Sequence, residues 1–265
     1  MKETINLSKA QLITIITFVL LLFGSYYGCE TKSKGQKDLE KSRAINFEKI
    51  SPRNLVKQEK EKLNSEASAF INTLEAQLKQ SDADSIMKNE VLERLASSWF
   101  SLGSPAVSGL YAEEIAKNRE NADAWGIAGT TYLLCLKNAE DATINDFCFN
   151  RSVKALEKAI SFDQDNLDHQ VNLALCYVEK PLEENPMKGI MMLLDLNKTH
   201  PENISVLLQL GKLALQTNQI DRAIARFETV LEYDANNNEA HCFLADIFRQ
   251  NNPEKAMFHA EYCKQ

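Results

Sequence analysis

Six cysteines and four histidines are the side chains with the greatest chemical range in this 265-residue chain. The cysteines are Cys29, Cys135, Cys148, Cys176, Cys242 and Cys263, and none forms a CxxC pair. A thiolate needs a close partner for metal or redox work, so isolated cysteines within helical apolar patterns read as small buried hydrophobes, free thiols that lean toward a reducing compartment. The histidines are His169, His200, His241 and His259. His259 and Cys263 stand at i and i+4, and His241 and Cys242 are adjacent. Zinc is conceivable there, but no short ligand pair supports it, and no metal or cofactor is expected. Nucleophile, phosphate-loop and metalloprotease signatures (GxSxG, GxxxxGK[ST], GxGxxG, HExxH) are absent, so no catalytic residue is assigned. The acidic pairs Glu113-Glu114 and Glu183-Glu184 read as solvated charges, and Met187, Met191 and Met192 as seam packing.

Composition narrows the class further. Nine glycines and six prolines are few for this length, and abundant Ala, Leu, Glu, Lys and Asn favour helix. The net charge of −7 divides into +4 over residues 1–66 and −11 over the rest. An acidic body argues against nucleic acid, because phosphate neutralisation needs a basic face.

Residues 10–28, AQLITIITFVLLLFGSYYG, carry no charge and are long enough for one membrane span. Tyr26 and Tyr27 stand where an interfacial aromatic belt belongs. Three readings compete: an uncleaved anchor, which is preferred; a lipoprotein with Cys29 as the lipidated residue; and a cleaved signal peptide, disfavoured by Tyr26 and Phe23 at the −3 positions. Five Lys/Arg follow the span within 15 residues against two before it. The positive-inside rule then leans the large domain toward the cytoplasm. The lipoprotein reading puts it on the other side, and the periplasm stays open.

The elements that position everything else are helical. Residues 1–9 form a tail and 29–50 a polar linker. Ser51-Pro52 reads as an N-cap and a first-turn proline, opening one long helix to about Gln80. Leu63, Ala67, Phe70, Leu74 and Leu78 share one face of it. Ser81–Asp84 breaks it; a second helix runs to about Leu102, and Gly103-Ser104-Pro105 opens a third.

Beyond residue 89 the sequence repeats itself at about 34 residues. In 204–237, Leu210-Gly211 take repeat positions 7 and 8, Ala223 takes 20, Phe227 takes 24 and Val230 takes 27. In 122–166, Trp125, Ala128, Gly129 and Tyr132 match 4, 7, 8 and 11, with an insertion near 136–150. In 167–203, Leu173, Ala174 and Tyr177 match 7, 8 and 11, with three extra residues near Pro181–Pro186. Residues 238–265 offer Leu244, Ala245 and Phe248, and a fainter copy at 89–121 offers Leu95, Ala96 and Trp99.

These copies resemble the tetratricopeptide repeat (TPR) family. The resemblance implies an all-α chain: a right-handed α-solenoid of helix hairpins at 122–265, N-terminal helices with one degenerate repeat at 51–121, and the single membrane helix in front. It also implies a protein-interaction scaffold, not an enzyme, that docks a segment of another protein in a groove lined by the first helix of each repeat. Carried over by repeat position, the groove comprises Asp123, Thr130 and Leu133 on one such helix and Asp168, Val171, Leu175 and Glu179 on the next. Leu208, Lys212 and Leu215 follow, then Asp246 and Arg249. The Lys and Asn that clamp a C-terminal carboxylate in one TPR subclass are missing from positions 5 and 9. Similarity to single-span bacterial repeat proteins, carried by these copies and the span, implies a bacterial inner membrane. The expected role is assembly or quality control of an envelope or membrane-associated complex. The other reading is a lipoprotein tethered through Cys29, structural or oligomerising, for which the apolar edge Met257, Ala260 and Tyr262 speaks.

Overall fold

The computed structural model describes residues 50–81 and 85–263. Residues 1–49, with the expected tail, the expected span at 10–28, Cys29 and the expected linker up to residue 49, lie outside the described residues. No described helix is long and apolar enough to cross a membrane.

The described residues form helices in series: α1 Pro52–Glu61, α2 Ser65–Gln80, α3 Ser85–Ser101, α4 Pro105–Arg119, α5 Ala122–Asn138 and α6 Ala142–Phe162, then α7 Leu167–Glu179, α8 Lys188–Thr199, α9 Ile204–Gln216, α10 Ile220–Tyr233, α11 Asn238–Phe248 and α12 Pro253–Tyr262. Neighbours in sequence pack as hairpins, α3 with α4, α5 with α6, α7 with α8, α9 with α10 and α11 with α12.

Asparagine starts the first helix of each later hairpin. A helix leaves its first N–H groups without partners, and an Asn carboxamide oxygen supplies one. Asn121 accepts from Ala124 N at 2.9 Å, Asn203 from Val206 N at 3.0 Å and Asn237 from Ala240 N at 3.0 Å. Asn166 accepts from Asp168 N and His169 N at the start of α7.

The single helix expected over 52–80 is two. Ser51 caps α1 as read, accepting from Asn54 N at 3.2 Å. Asn64 then caps a new helix by accepting from Ala67 N at 2.8 Å. Apolar periodicity runs through the break, but the cap competes for the backbone there. The insertion at 136–150 is absorbed by α6. Asp141 accepts from Thr143 N and Ile144 N, and the helix extends for 21 residues. The extra residues before α8 form a turn closed by an isolated bridge between Leu182 and Asn185.

Large side chains fill the seams. Trp99, Tyr132, Tyr177 and Phe227 are fully buried, each worth roughly 1.5–3 kcal/mol of apolar burial or more. One core runs from α1 to α9, and a second joins α9, α10 and α11. Where α4, α5 and α6 meet, Ala112, Ala116, Ala124, Ala128, Ala155 and Ala159 gather around Trp125, so these helices approach closely. Met187 and Met191 are half-exposed rather than seam residues, and only Met192 packs against the core.

The cysteine reading is overturned. Cys135 and Cys148 form a disulfide, as do Cys242 and Cys263, which leaves Cys176 as the free thiol among the described residues. The spacings of 13 and 21 residues carry no signal by themselves; the hairpins bring the pairs together.

Candidate partner-docking groove

Of the positions that the repeat resemblance implies for a groove, four lie inside the array. Leu133, Val171, Leu175 and Leu208 are 4–7% exposed and belong to the core. Leu133, Val171 and Leu175 belong to the core that runs from α1 to α9, and Leu208 to the one that joins α9, α10 and α11. The His169 ring of α7 sits over Gly126 of α5, leaving no room there for a Cβ.

Polar ties engage several of the other positions. Asn172 Nδ2 of α7 donates to Thr130 Oγ1 of α5 at 3.5 Å. Lys137 pairs with Glu179 at 3.7 Å, and Lys212 of α9 pairs with Glu239 of α11. Asp246 and Arg249 pair with each other on α11, and Leu215 is half-buried. Asp123 and Asp168 are exposed in the first turns of α5 and α7, where a carboxylate complements the helix dipole. Thr130, Glu179 and Lys212 thus take part in links between helices, Asp123 and Asp168 stay at the surface, and Leu133, Val171, Leu175 and Leu208 go inside.

The open surface lies one repeat earlier. Between α3 and α5, over α4, is a cleft of about 420 Å³. Its floor is made of small and apolar groups: Ala96 of α3, Ser108, Ala112 and Ile115 of α4, and Ala124 of α5. Ser108 Oγ donates to Ala96 O at 2.8 Å, so the floor holds no unmet hydroxyl. Phe100 on α3 and Ile127 on α5 form the walls, 49% and 62% exposed. An ion pair between Glu93 and Arg119 closes one end, and Ser97, Ser101 and Thr131 edge the rim. A second hollow, of about 500 Å³, lies on the other side of α3 with Phe70 and Leu102 in its lining, and Ser97 and Ser101 line both. The sequence signal for this cleft was available: small residues at Ala96, Ala112 and Ala124 beside two large ones. The faint match at 89–121 hid it.

Beneath the cleft a buried charge cluster holds α4, α5 and α6 in place. Glu113 accepts from Arg151 Nη1, from Tyr132 OH at 3.1 Å and from Lys117 at 2.9 Å. Burial would raise the Glu113 carboxyl, but Arg151 and Lys117 outweigh it and hold the pKa below its ordinary value. Burial and then the Glu113 charge push Tyr132 well up. Glu113 is thus a structural counter-ion with a 12% exposed side chain, not the solvated charge expected; Glu183 and Glu184 are exposed.

The histidine–cysteine group at the C-terminus is not arranged as a metal centre. Cys242 and Cys263 bond to each other, and His241 and His259 face each other through Nδ1 atoms 2.9 Å apart. Among the described residues no group of three or more His, Cys, Asp or Glu is placed to hold a metal ion.

Helix hairpins packed in series, as in the described residues, are the architecture of helical repeat proteins. Residues 191–247 match the tetratricopeptide repeat family model, and the sequence copies on either side of that segment resemble the same repeat. Among solved structures the chain is similar to a point mutant of MamA, at 19% identity over 67% of this chain and 96% of that one, with a TM-score of 0.35. Two structures of MamA AMB-1 stand alike: 19% and 20% identity, 67% and 65% of this chain, 90% and 94% of theirs, TM-scores of 0.36. No curated protein matches the chain.

Proposed function

We propose that this repeat protein is a membrane-tethered scaffold that docks an apolar segment of another protein in the cleft between α3 and α5. The carrying observation is the cleft itself. Phe100 and Ile127 stand exposed on opposite walls above an alanine-lined floor whose polar groups are satisfied. Such a surface gains free energy when two or three large apolar side chains cover it, and gains little from a polar partner.

The tether is residues 10–28, for the reasons of length and apolarity given above. The two disulfides favour the periplasmic side, because paired cysteines persist where the compartment is oxidising. They oppose the inference from flanking charge, and one of that inference's two supports, the free thiols, is gone. A role in assembling or monitoring envelope complexes follows from that location.

The test has two parts. Protease is added to cells whose outer membrane is open and whose inner membrane is intact: digestion of the repeats supports the periplasmic reading, and protection until detergent is added returns the domain to the cytoplasm. Partners are then captured with the full chain and with Ile127→Asp. Loss of the captured protein in the variant supports the cleft; an unchanged catch sinks it. Mass spectrometry of the N-terminal fragment separates an uncleaved span from the second reading, a lipid on Cys29.

A further inference from the structure

The last helix is held in an unusual way. Helix α10 buries Ala223, Phe227 and Val230 against its neighbours. Helix α12 has a single buried residue, and that residue is His259. Met257, Phe258 and Tyr262 of α12 are 69%, 54% and 40% exposed. Docking of α12 therefore rests on an imidazole where its counterparts use apolar side chains.

That imidazole has a defined proton arrangement. His241 Nε2 lies 3.1 Å from the carbonyl of Ala235, which can only accept, so Nε2 carries the hydrogen. A neutral His241 then has a bare Nδ1. His259 Nδ1, 2.9 Å away, must be the donor to it. In this pattern His259 Nε2 is the ring nitrogen left for an added proton. A proton added to His241 Nδ1 would set two N–H groups head to head. A proton added to His259 Nε2 would charge a ring that is 8% exposed.

The groups around His259 are mostly aromatic. From α11, Phe248 stacks on His259 with centroids 6.0 Å apart; on α12, Phe258 meets it edge-on at 5.1 Å. Tyr262 stacks on His241 at 4.6 Å. The charged group acting on His259 from its own helix is Lys255, of the same sign. In the loop before α11, Asp234 is engaged by Asn236 N and Asn237 Nδ2. The Cys242–Cys263 disulfide meanwhile ties the end of α12 to α11 whatever the state of the rings.

We infer that α12 is a pH-sensitive flap: docked while His259 is neutral, released when it takes up a proton, and kept on a leash by the Cys242–Cys263 disulfide. Release bares the face of α11 that carries His241 and Phe248. The direction follows from linkage. Burial first, then His241 and Lys255, lower the His259 pKa from 6.5. The docked state binds fewer protons than the released one, so docking is fully present above 6.5 and is lost as the pH falls below it.

Hydrogen exchange on the full-length protein tests this. Between pH 7.5 and 5.0, after correction for the intrinsic rate, protection of residues 253–262 should fall by about tenfold or more while α9 and α10 hold theirs. Protection of α12 that does not change over that range overturns the proposal. In His259→Gln the amide N–H replaces the Nδ1 donor and cannot gain a proton, so α12 should stay docked at both pH values; a pH dependence equal to the wild type overturns the assignment to His259. If the variant is already undocked at pH 7.5, the NMR titration of His259 in the wild type decides, a midpoint below 6.5 supporting the flap and one at or above it sinking it.

Discussion

Cys135 at the end of α5 and Cys148 within α6 are bonded across the turn that joins the two helices, with Cα atoms 5.9 Å apart and both side chains buried. The bond fastens the extra turns of α6, the ones built from the insertion, to the body of the array. Closing a loop of this size removes enough freedom from the unfolded chain to stabilise the fold by about 3 kcal/mol.

Replacing both cysteines by serine should therefore lower unfolding stability by about 2–4 kcal/mol in a denaturant titration. Alkylation of the unfolded, unreduced wild type should leave Cys135, Cys148, Cys242 and Cys263 unlabelled and label Cys176. Labelling of all five would show that the hairpins close without these bonds.

The Glu113–Arg151 pair makes a second prediction. Arg151→Met removes one charged partner of a buried carboxylate that keeps Lys117 and the Tyr132 hydroxyl, and should cost about 1.5–3 kcal/mol. Because the folded Glu113 pKa lies below its unfolded value of 4.5, its contribution is present above that pH and declines as pH falls through the lower, folded value. Acid unfolding of the variant should accordingly show a weaker pH dependence below 4.5 than the wild type.

Two glycines separate soft from hard contacts. A Cβ on Gly211 would meet the Phe227 ring at 2.6 Å, whereas one on Gly189 would meet backbone atoms, Ala174 O at 2.5 Å and Val178 N at 2.6 Å. A ring can turn aside; a backbone in the facing helix cannot. Gly211→Ala should cost about 1–3 kcal/mol and Gly189→Ala more, by chemical denaturation. The reverse order would mean that α7 and α8 pack less closely than described.

Surface and core leucine-class residues should also part company. Phe100→Asp and Ile127→Asp should change stability by no more than about 1 kcal/mol and abolish partner capture. Leu175→Asp and Leu208→Asp, at positions where the repeat resemblance implied a groove, should instead unfold the protein, since each puts a charge into the core. Circular dichroism melts distinguish the two classes before any partner is known.

Much of the array was legible because its rules are local. Small residues at Gly211 and Ala223 and large ones at Phe227 and Val230 mark a hairpin seam wherever they fall in that order. The Ser51-Pro52 helix start was likewise readable. The break at Asn64 was not, since the apolar face continues from Leu63 to Leu78 across it and only the cap hydrogen bond decides.

The sequence by itself determined that the chain is helical, that its helices pair in hairpins with tetratricopeptide spacing, and that its body is acidic. Those properties depend on periodicity, capping and composition, which are short-range or additive. Only the tertiary structure decided which cysteines meet, which way Leu133, Val171, Leu175 and Leu208 face, and where the array stays open. A disulfide needs two sulfur atoms in contact, and the hairpin supplies that, not a spacing of 13 or 21 residues. Whether a repeat position is groove or core depends on how closely the next helix approaches. His169 over Gly126 brings α5 and α7 together, while nothing comparable spans α3 and α5 among the described contacts, and the cleft lies there.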